Sequence, residues 1–452
     1  MATAAMYKLI GSAPDDGVTR ALSGWSDERL QALLAARPDL ADPPPPDFEA
    51  LGFRAALAQS VAACRRHLDQ WCLQVLDSLC LLSSPATVGA LRRLLGHPVD
   101  EGDLDRALGR LEDLALVFRS GDELRPVHGA QELPYPAGLG PPADEVLGRR
   151  SAAELAAMAR RLGATAGRTK TATLAALAGA LADPTVVRAA VEGGPEGTDE
   201  LVDELAWRYP AVSVPGGTAY LYDRTPVGWL ANRGLVVPVS WNSVVMPREA
   251  GVGLRGGRPF PVLANRPPAL DPVAVDAGAV DTAGAEHALR LVGDVATVLD
   301  AFGEAPPRML KTGGVGIRDV RRMAKATGRT ESGAAWLVEL AGAAGLVAAD
   351  EATGGALPTA AYDEWLGLEA PRRWSWLVAA WLGAELHLSV AGAIDAKDKP
   401  VPPLAPWCPE PHAVPQRRLV LEALAEAGTG GAVDTATLRQ RIAWAGPAVW
   451  SA

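Results

Sequence analysis

Apolar residues recur three and four positions apart in separate blocks of this chain, and each block closes on a leucine–valine step. On a helix that spacing places the apolar side chains on one face. The clearest copies are LGRLEDLALVF (108–118), VGWLANRGLVVPVSWNSVVMP (227–247) and AAWLVELAGAAGLVAADEATGGALPT (334–359). In each, a leucine- or alanine-rich helix runs into a turn and a short strand-like piece. Earlier helices precede the first copy (WCLQVLDSLCLL and TVGALRRLLG) and the third (ALRLVGDVATVLDAF and IRDVRRMAKATG). Helix, short helix, longer helix and hairpin is the order of a winged helix-turn-helix. The pattern therefore predicts a mainly α (α+β) chain of tandem winged helix-turn-helix modules with short β-hairpin wings.

Four proline-rich breaks interrupt the blocks: Pro43 to Pro46, LPYPAGLGPP (133–142), PVLANRPPALDP (261–272) and KPVPPLAPWCPEPHAVP (399–415). Proline cannot continue a helix, so such clusters are expected between modules. They predict an N-terminal helical segment over 1–60, with Ser26 as an N-cap ahead of Asp27 and Glu28. Winged-helix-like module 1 follows over 61–143 and a helical hairpin over 144–197. Module 2 is expected over 198–272 and module 3 over 273–398. A proline-rich linker and an incomplete module 4 occupy 399–452. Since module 4 stops at Ala452 without a wing, the sequence reads as a piece of a longer protein or a shortened one. Within the hairpin, ELAAMARRLGATAGRTKTATLAALAGALAD (154–183) places two short amphipathic helices around a basic, glycine-containing turn. It is weakly similar to SAP-type DNA-binding modules, and closer to an ordinary helical hairpin.

Composition narrows the function classes. The chain has 452 residues, 48% apolar and 21% charged, with a net charge of −10, a globular balance in which strong non-specific coating of DNA is disfavoured. The N-terminus lacks a signal-peptide pattern, and no apolar run approaches the roughly 20 residues of a membrane span. A soluble cytoplasmic protein, nucleoid-associated if it binds DNA, is expected. Cys64, Cys72, Cys80 and Cys408 lack metal-ligand spacing, and the first three read as buried free thiols. The histidines (67, 97, 128, 287, 387, 412) are scattered, so neither a metal site nor a cofactor is expected. GATAGRTKT (163–171) and KTGGVG (311–316) both fail the phosphate-loop spacing, and no hydrolase motif stands out, so no catalytic residue is assigned.

Against this acidic background one stretch is strongly basic. Arg308, Lys311, Arg318, Arg321, Arg322, Lys325 and Arg329 face the single local carboxylate of Asp319. Arg318, Arg321, Arg322 and Lys325 share a helical face, leaving Ile317, Val320 and Ala324 for burial. Such a face suits a polyanion, or is simply solvated. A second candidate is PREAGVGLRGGRPFP (247–261), where Arg248, Arg255 and Arg258 are spaced by glycines that let backbone N–H groups approach an anion; a tight turn with exposed arginines is the stronger reading. The third helix of module 1 is acidic and unsuited to a duplex. That of module 3, around 331–346, is nearly neutral. DNA contact is thus expected through the preceding basic helix, giving affinity without base readout. Trp365, Trp374, Trp376 and Trp381 read as helix anchors.

Four longer stretches carry a family resemblance: RPVHGAQELPYPAGLGPPA, GLVVPVSWNSVVMPREAGVGLRGGRPF, PRMLKTGGVGIRDVRRMAKATG and ALPTAAYDEWLGLEAPRRWSWLVAAWL. The chain resembles the large helicase-associated proteins of high-GC bacteria, which carry a region similar to the N-terminal domain of XPB-type DNA repair helicases. The resemblance implies a DNA-associated protein without a motor, partnered by DNA and by a helicase or other repair protein. It transfers no site residue. The alternatives are a protein-interaction scaffold of winged-helix modules, or the non-catalytic part of a helicase.

Overall fold

The computed structural model describes residues 16–450 apart from 83–84, 97–98, 134, 219–220, 351 and 407–408. Cys408, His97 and the opening segment inspected for a signal peptide lie outside the described residues. The described chain is mainly helical, with short strands in small antiparallel sheets. It forms two compact units that divide after Pro267, inside the third proline-rich break.

The first unit opens with α1 (Asp16–Ser23), α2 (Asp27–Ala36), α3 (Pro38–Ala41), α4 (Phe48–Ala55) and α5 (Ala58–Arg65). Ser26 accepts the Arg29 backbone N–H and Asp47 accepts that of Ala50, so α2 and α4 start at side-chain caps. α1 crosses α4 at Gly52, where an added Cβ would lie 2.7 Å from the Thr19 hydroxyl. Next come α6 (Gln70–Leu81), β1 (Ala86–Thr87), α7 (Val88–Leu95), α8 (Glu101–Asp113), β2 (Val117–Ser120), β3 (Glu123–Pro126) and α9 (His128–Gln131), with the strands ordered β1-β3-β2. Arg37, only 1% exposed, ties the opening helices to this module. It donates to the carbonyls of Leu114 (2.9 Å) and Ala55 (3.3 Å) and to the Ser60 hydroxyl (2.6 Å).

The rest of this unit comprises α10 (Ala143–Leu147), α11 (Ala152–Arg161), α12 (Lys170–Ala182), α13 (Pro184–Glu192), α14 (Thr198–Trp207), β4 (Ala211–Ser213), α15 (Pro226–Ala231), β5 (Val237–Ser240), β6 (Ser243–Val245) and α16 (Arg248–Leu254). Its strands are ordered β4-β6-β5. The sequence separates the helical hairpin (144–197) from module 2 (198–272), but the two share one core. Leu155, Leu177 and Val187 pack in the same cluster as Leu230, Leu235, Val244 and Met246. The LPYPAGLGPP break is likewise no linker. Asp77 accepts the Ala137 N–H at 2.9 Å, and Arg248 donates its backbone N–H to Pro141 at 2.8 Å, so the prolines strap the two halves together.

The second unit contains β7 (Val273–Ala274), α17 (Ala277–Glu304), α18 (Ile317–Thr327), α19 (Glu331–Ala343), β8 (Val347–Asp350), β9 (Gly355–Pro358), α20 (Ala360–Leu366), α21 (Ala370–Gly383), α22 (Ala413–Glu426), β10 (Gly431–Ala432), α23 (Thr435–Ala445) and α24 (Pro447–Trp450). Val298, Phe302, Met323, Val338, Leu346 and Trp365 lie in its core. Trp376 donates its indole N–H to the Ala344 carbonyl at 3.0 Å, an anchoring role, whereas Trp374 is 41% exposed. The expected linker from 399 onward packs instead. Pro403 accepts the Val315 N–H at 2.8 Å, and the buried carboxylate of Glu339 accepts that of Leu404 at 2.6 Å. The expected module 4 is joined to the start of the unit, since β10 pairs antiparallel with β7.

Two predictions follow from burial. Cys64 and Cys72 are buried, Cys80 is half-buried, and burial raises all three thiols, Cys80 to about 12. Peptide-level mass spectrometry after iodoacetamide at mildly alkaline pH should find all three unlabelled until the chain is denatured; rapid native labelling would contradict the packing. Burial also raises the Glu339 carboxyl, against the lowering effect of the Leu404 N–H. Its stabilising contribution is therefore complete below the unfolded-state value and falls as pH rises through the folded one. Chemical denaturation should show Glu339→Gln gaining stability relative to wild type between acidic and neutral pH; a pH-independent difference would refute this.

Candidate nucleic-acid interface

The basic helix foreseen in the sequence forms as α18, with Val320, Met323 and Ala324 buried. Ile317, expected on the buried side, is 37% exposed in the first turn, and Met323 takes the inward place. The cations on this helix divide into two groups. Arg322 is turned inward: it donates to the carbonyls of Ala301 (3.2 Å) and Ala305 (2.7 Å) and pairs with Asp319 at 3.1 Å. It thereby supplies a donor to the Ala305 carbonyl and a second one to Ala301, whose carbonyl already accepts the Ala305 N–H. Arg321 pairs with Glu331 at 2.9 Å, and Arg329 with Asp294 at 2.6 Å. Lys311, Arg318 and Lys325 are exposed, with no ion-pair partner among the described residues. Half of the predicted ridge is therefore committed to carboxylates or carbonyls.

The module 2 arginines are committed further. Arg255 donates to the carbonyls of Ala206 (2.7 Å), Ala137 (2.8 Å), Pro259 (2.7 Å) and Gly138 (3.2 Å), and it lies against the Trp207 ring. Burial lowers its guanidinium to about 10. Arg248 reaches the Leu81 carbonyl at 3.4 Å, and burial lowers it as well. Arg258 is half-buried across Gly96. The glycine-spaced turn at 247–261 is thus a packing junction, and its arginines point into protein instead of at an anion.

Neither α8 nor α19, the third helices expected of modules 1 and 3, offers a face suited to a groove. The exposed side of α8 carries Glu101, Asp105 and Asp113 against Arg106 and Arg110, while buried Asp103 holds Asn265 and Arg266. The hydrogen bond from Arg106, helped by those two partners, keeps the Asp103 carboxyl below its ordinary value. α19 is buried from Ala334 to Ala341 apart from a half-exposed Trp336, beneath α21 and the 388–404 segment.

A set of cations outside the sequence-predicted sites is better placed. Residues 149–170 hold Arg149, Arg150, Arg160, Arg161, Arg168 and Lys170 against the single carboxylate of Glu154. α11 starts at a reciprocal cap between Ser151 and Glu154, and α12 at Thr169, which accepts the Ala172 N–H. Gly167 lies so close to α12 that an added Cβ would meet the Ala172 side chain at 2.5 Å. The Lys170 ammonium donates to the Gly148 carbonyl at 2.7 Å, bringing the start of α12 beside the start of α11. Arg149, Arg150, Arg168 and Lys170 thus share one corner with two helix N-termini, both of which favour negative charge. Arg149 and Arg168 are exposed and have no carboxylate partner among the described residues; Arg150 pairs with Glu154 at 3.5 Å. The basic turn was legible in the sequence; the return of the loop that gathers its cations was not.

No family model, curated protein or solved structure matches this chain.

Replacing Arg255 by alanine strands up to four carbonyls and should cost about 3 kcal/mol in urea unfolding. Lysine should not restore it, because a single ammonium cannot reproduce the guanidinium fork. An unchanged unfolding midpoint would return Arg255 to the list of free cations.

Proposed function

We propose that this chain is a nucleic-acid-binding accessory protein, built from winged-helix modules, that grips phosphate backbones without reading bases and has no motor of its own. The observation that carries the proposal is the corner formed by Arg149, Arg150, Arg168 and Lys170, where two helix starts meet four cations of which only Arg150 has a carboxylate partner among the described residues. Phosphate contacts of this kind supply affinity and position but no sequence information. Lys311, Arg318 and Lys325 add a smaller contact on the second unit. The ion pairs of Arg321 and Arg329 lie at the surface, where such pairs contribute little and exchange readily for phosphate.

Element order supports the winged-helix reading. Helix α6, strand β1, helices α7 and α8, then the β2–β3 hairpin with strand order β1-β3-β2 is the arrangement such modules use. Module 3 repeats it with Arg308 bridging to Gly355 of β9 in place of a first strand. An acidic exposed side on α8 and the burial of α19 make major-groove readout the wrong mode for this protein. Partnership with a helicase or another DNA repair protein follows from the family resemblance and belongs to the same proposal. A second reading, an interaction scaffold, draws on the acidic exposed side of α8.

Gel-shift or anisotropy titrations against duplex, forked and single-stranded DNA at several salt concentrations test this. Affinity should fall with salt, and Arg149→Ala with Arg168→Ala should flatten the log–log slope by about two units. Arg318→Ala with Lys325→Ala should have a smaller effect. A slope that ignores the hairpin variant moves the contact elsewhere, and no binding at low salt favours the scaffold.

A further inference from the structure

We propose that a cleft between α1 and the β2–β3 wing of module 1 is a second, separate site that binds a phosphate group attached to a flat ring. The cleft has a volume of about 670 Å³. It is lined by Arg20, Arg119, Arg125, His128, Phe118 and Gln131, among others, and by no carboxylate among the described residues. That is unexpected in the module whose third helix is acidic.

The fold explains how the basic groups converge. Val18 and Leu22 seat α1 against α4, which turns Gly17, Arg20 and Ala21 toward the cleft. Phe118 and Arg125 are directly paired across the hairpin, so their side chains share a face. His128 begins α9 immediately beyond the wing. The acids stand beside the cations and hold them in place. Arg119 lies 3.4 Å from Asp105 and 3.8 Å from Glu112, Arg125 lies 2.9 Å from Glu123, and His128 lies 3.0 Å from Glu132. Arg20 is exposed and has no ion-pair partner among the described residues. A phosphate carries more charge and more acceptor oxygens than a carboxylate, so it can engage several of these donors at once. Phe118 offers a surface on which a base can stack. The phosphate could belong to a free nucleotide or to a strand end; the chemistry is shared.

Isothermal titration of the full chain at low salt, with inorganic pyrophosphate and adenosine monophosphate as probes, tests the cleft directly. A short oligothymidylate is titrated into a chain already carrying Arg149→Ala and Arg168→Ala, so that the hairpin does not contribute. Arg20→Ala combined with Arg125→Ala, both at exposed positions, should weaken pyrophosphate binding about tenfold or more. Phe118→Leu should weaken the nucleotide but spare pyrophosphate. Binding of the small probes identifies a free ligand, and oligonucleotide binding alone that Arg20→Ala with Arg125→Ala weakens identifies a strand; either supports the site. No binding of any probe, or identical binding by the double variant of a chain with an unchanged melting curve, overturns it. Neither result bears on the hairpin, whose cations are intact in the small-probe titrations and already removed in the oligonucleotide one.

Discussion

Arginine side chains donating to main-chain carbonyls hold this protein together. Most of its helices are short and many end at or beside alanine or glycine, and each end leaves carbonyls without intrahelical partners. A buried carbonyl without a donor is costly. Arg37, Arg255, Arg322, Arg373 and Arg417 supply the donors, binding carbonyls of Leu114 and Ala55, of Ala137, Gly138, Ala206 and Pro259, of the end of α17, of Leu366 and Leu368, and of Ala384 and Leu386. A guanidinium suits the task because it remains charged while its planar fork serves several acceptors at once.

The same constraint reorganises the functional picture. Arginines used on carbonyls are withdrawn from the surface field, whatever their density along the sequence. The richest basic stretch, 308–329, loses Arg322 to the end of α17 and has Arg321 and Arg329 matched by carboxylates. The poorer-looking hairpin keeps Arg149 and Arg168 exposed because its loop is closed by Lys170 on Gly148 instead. In module 1 the acids of α8 are drawn to Arg29, Arg92, Arg106, Arg119 and Arg266, which helps leave the opposite side of its wing lined by basic groups. Local charge density along the chain therefore misplaces the favourable surface, and spatial pairing relocates it.

Proline-rich segments follow similar physics. Their missing N–H groups leave carbonyls available as acceptors, which is how Pro141 receives Arg248 and Pro403 receives Val315. Segments that look like linkers become straps. Only the break around 261–272 coincides with a division between compact units.

Periodicity, capping residues and turn chemistry were sufficient to locate most helices. α8, α18 and α19 lie where the apolar spacing puts them, Ser26 caps α2, and hairpins follow the leucine–valine steps at 116–117, 235–236 and 346–347. These features depend on neighbours within one or two turns, so the sequence by itself determined them. Which cations remain free was decided only in three dimensions. The acceptors that capture Arg255 include Ala137, 118 residues away, and the partner that captures Arg37 is Leu114, 77 residues away. No local pattern encodes such distant carbonyls; packing alone brings them within reach.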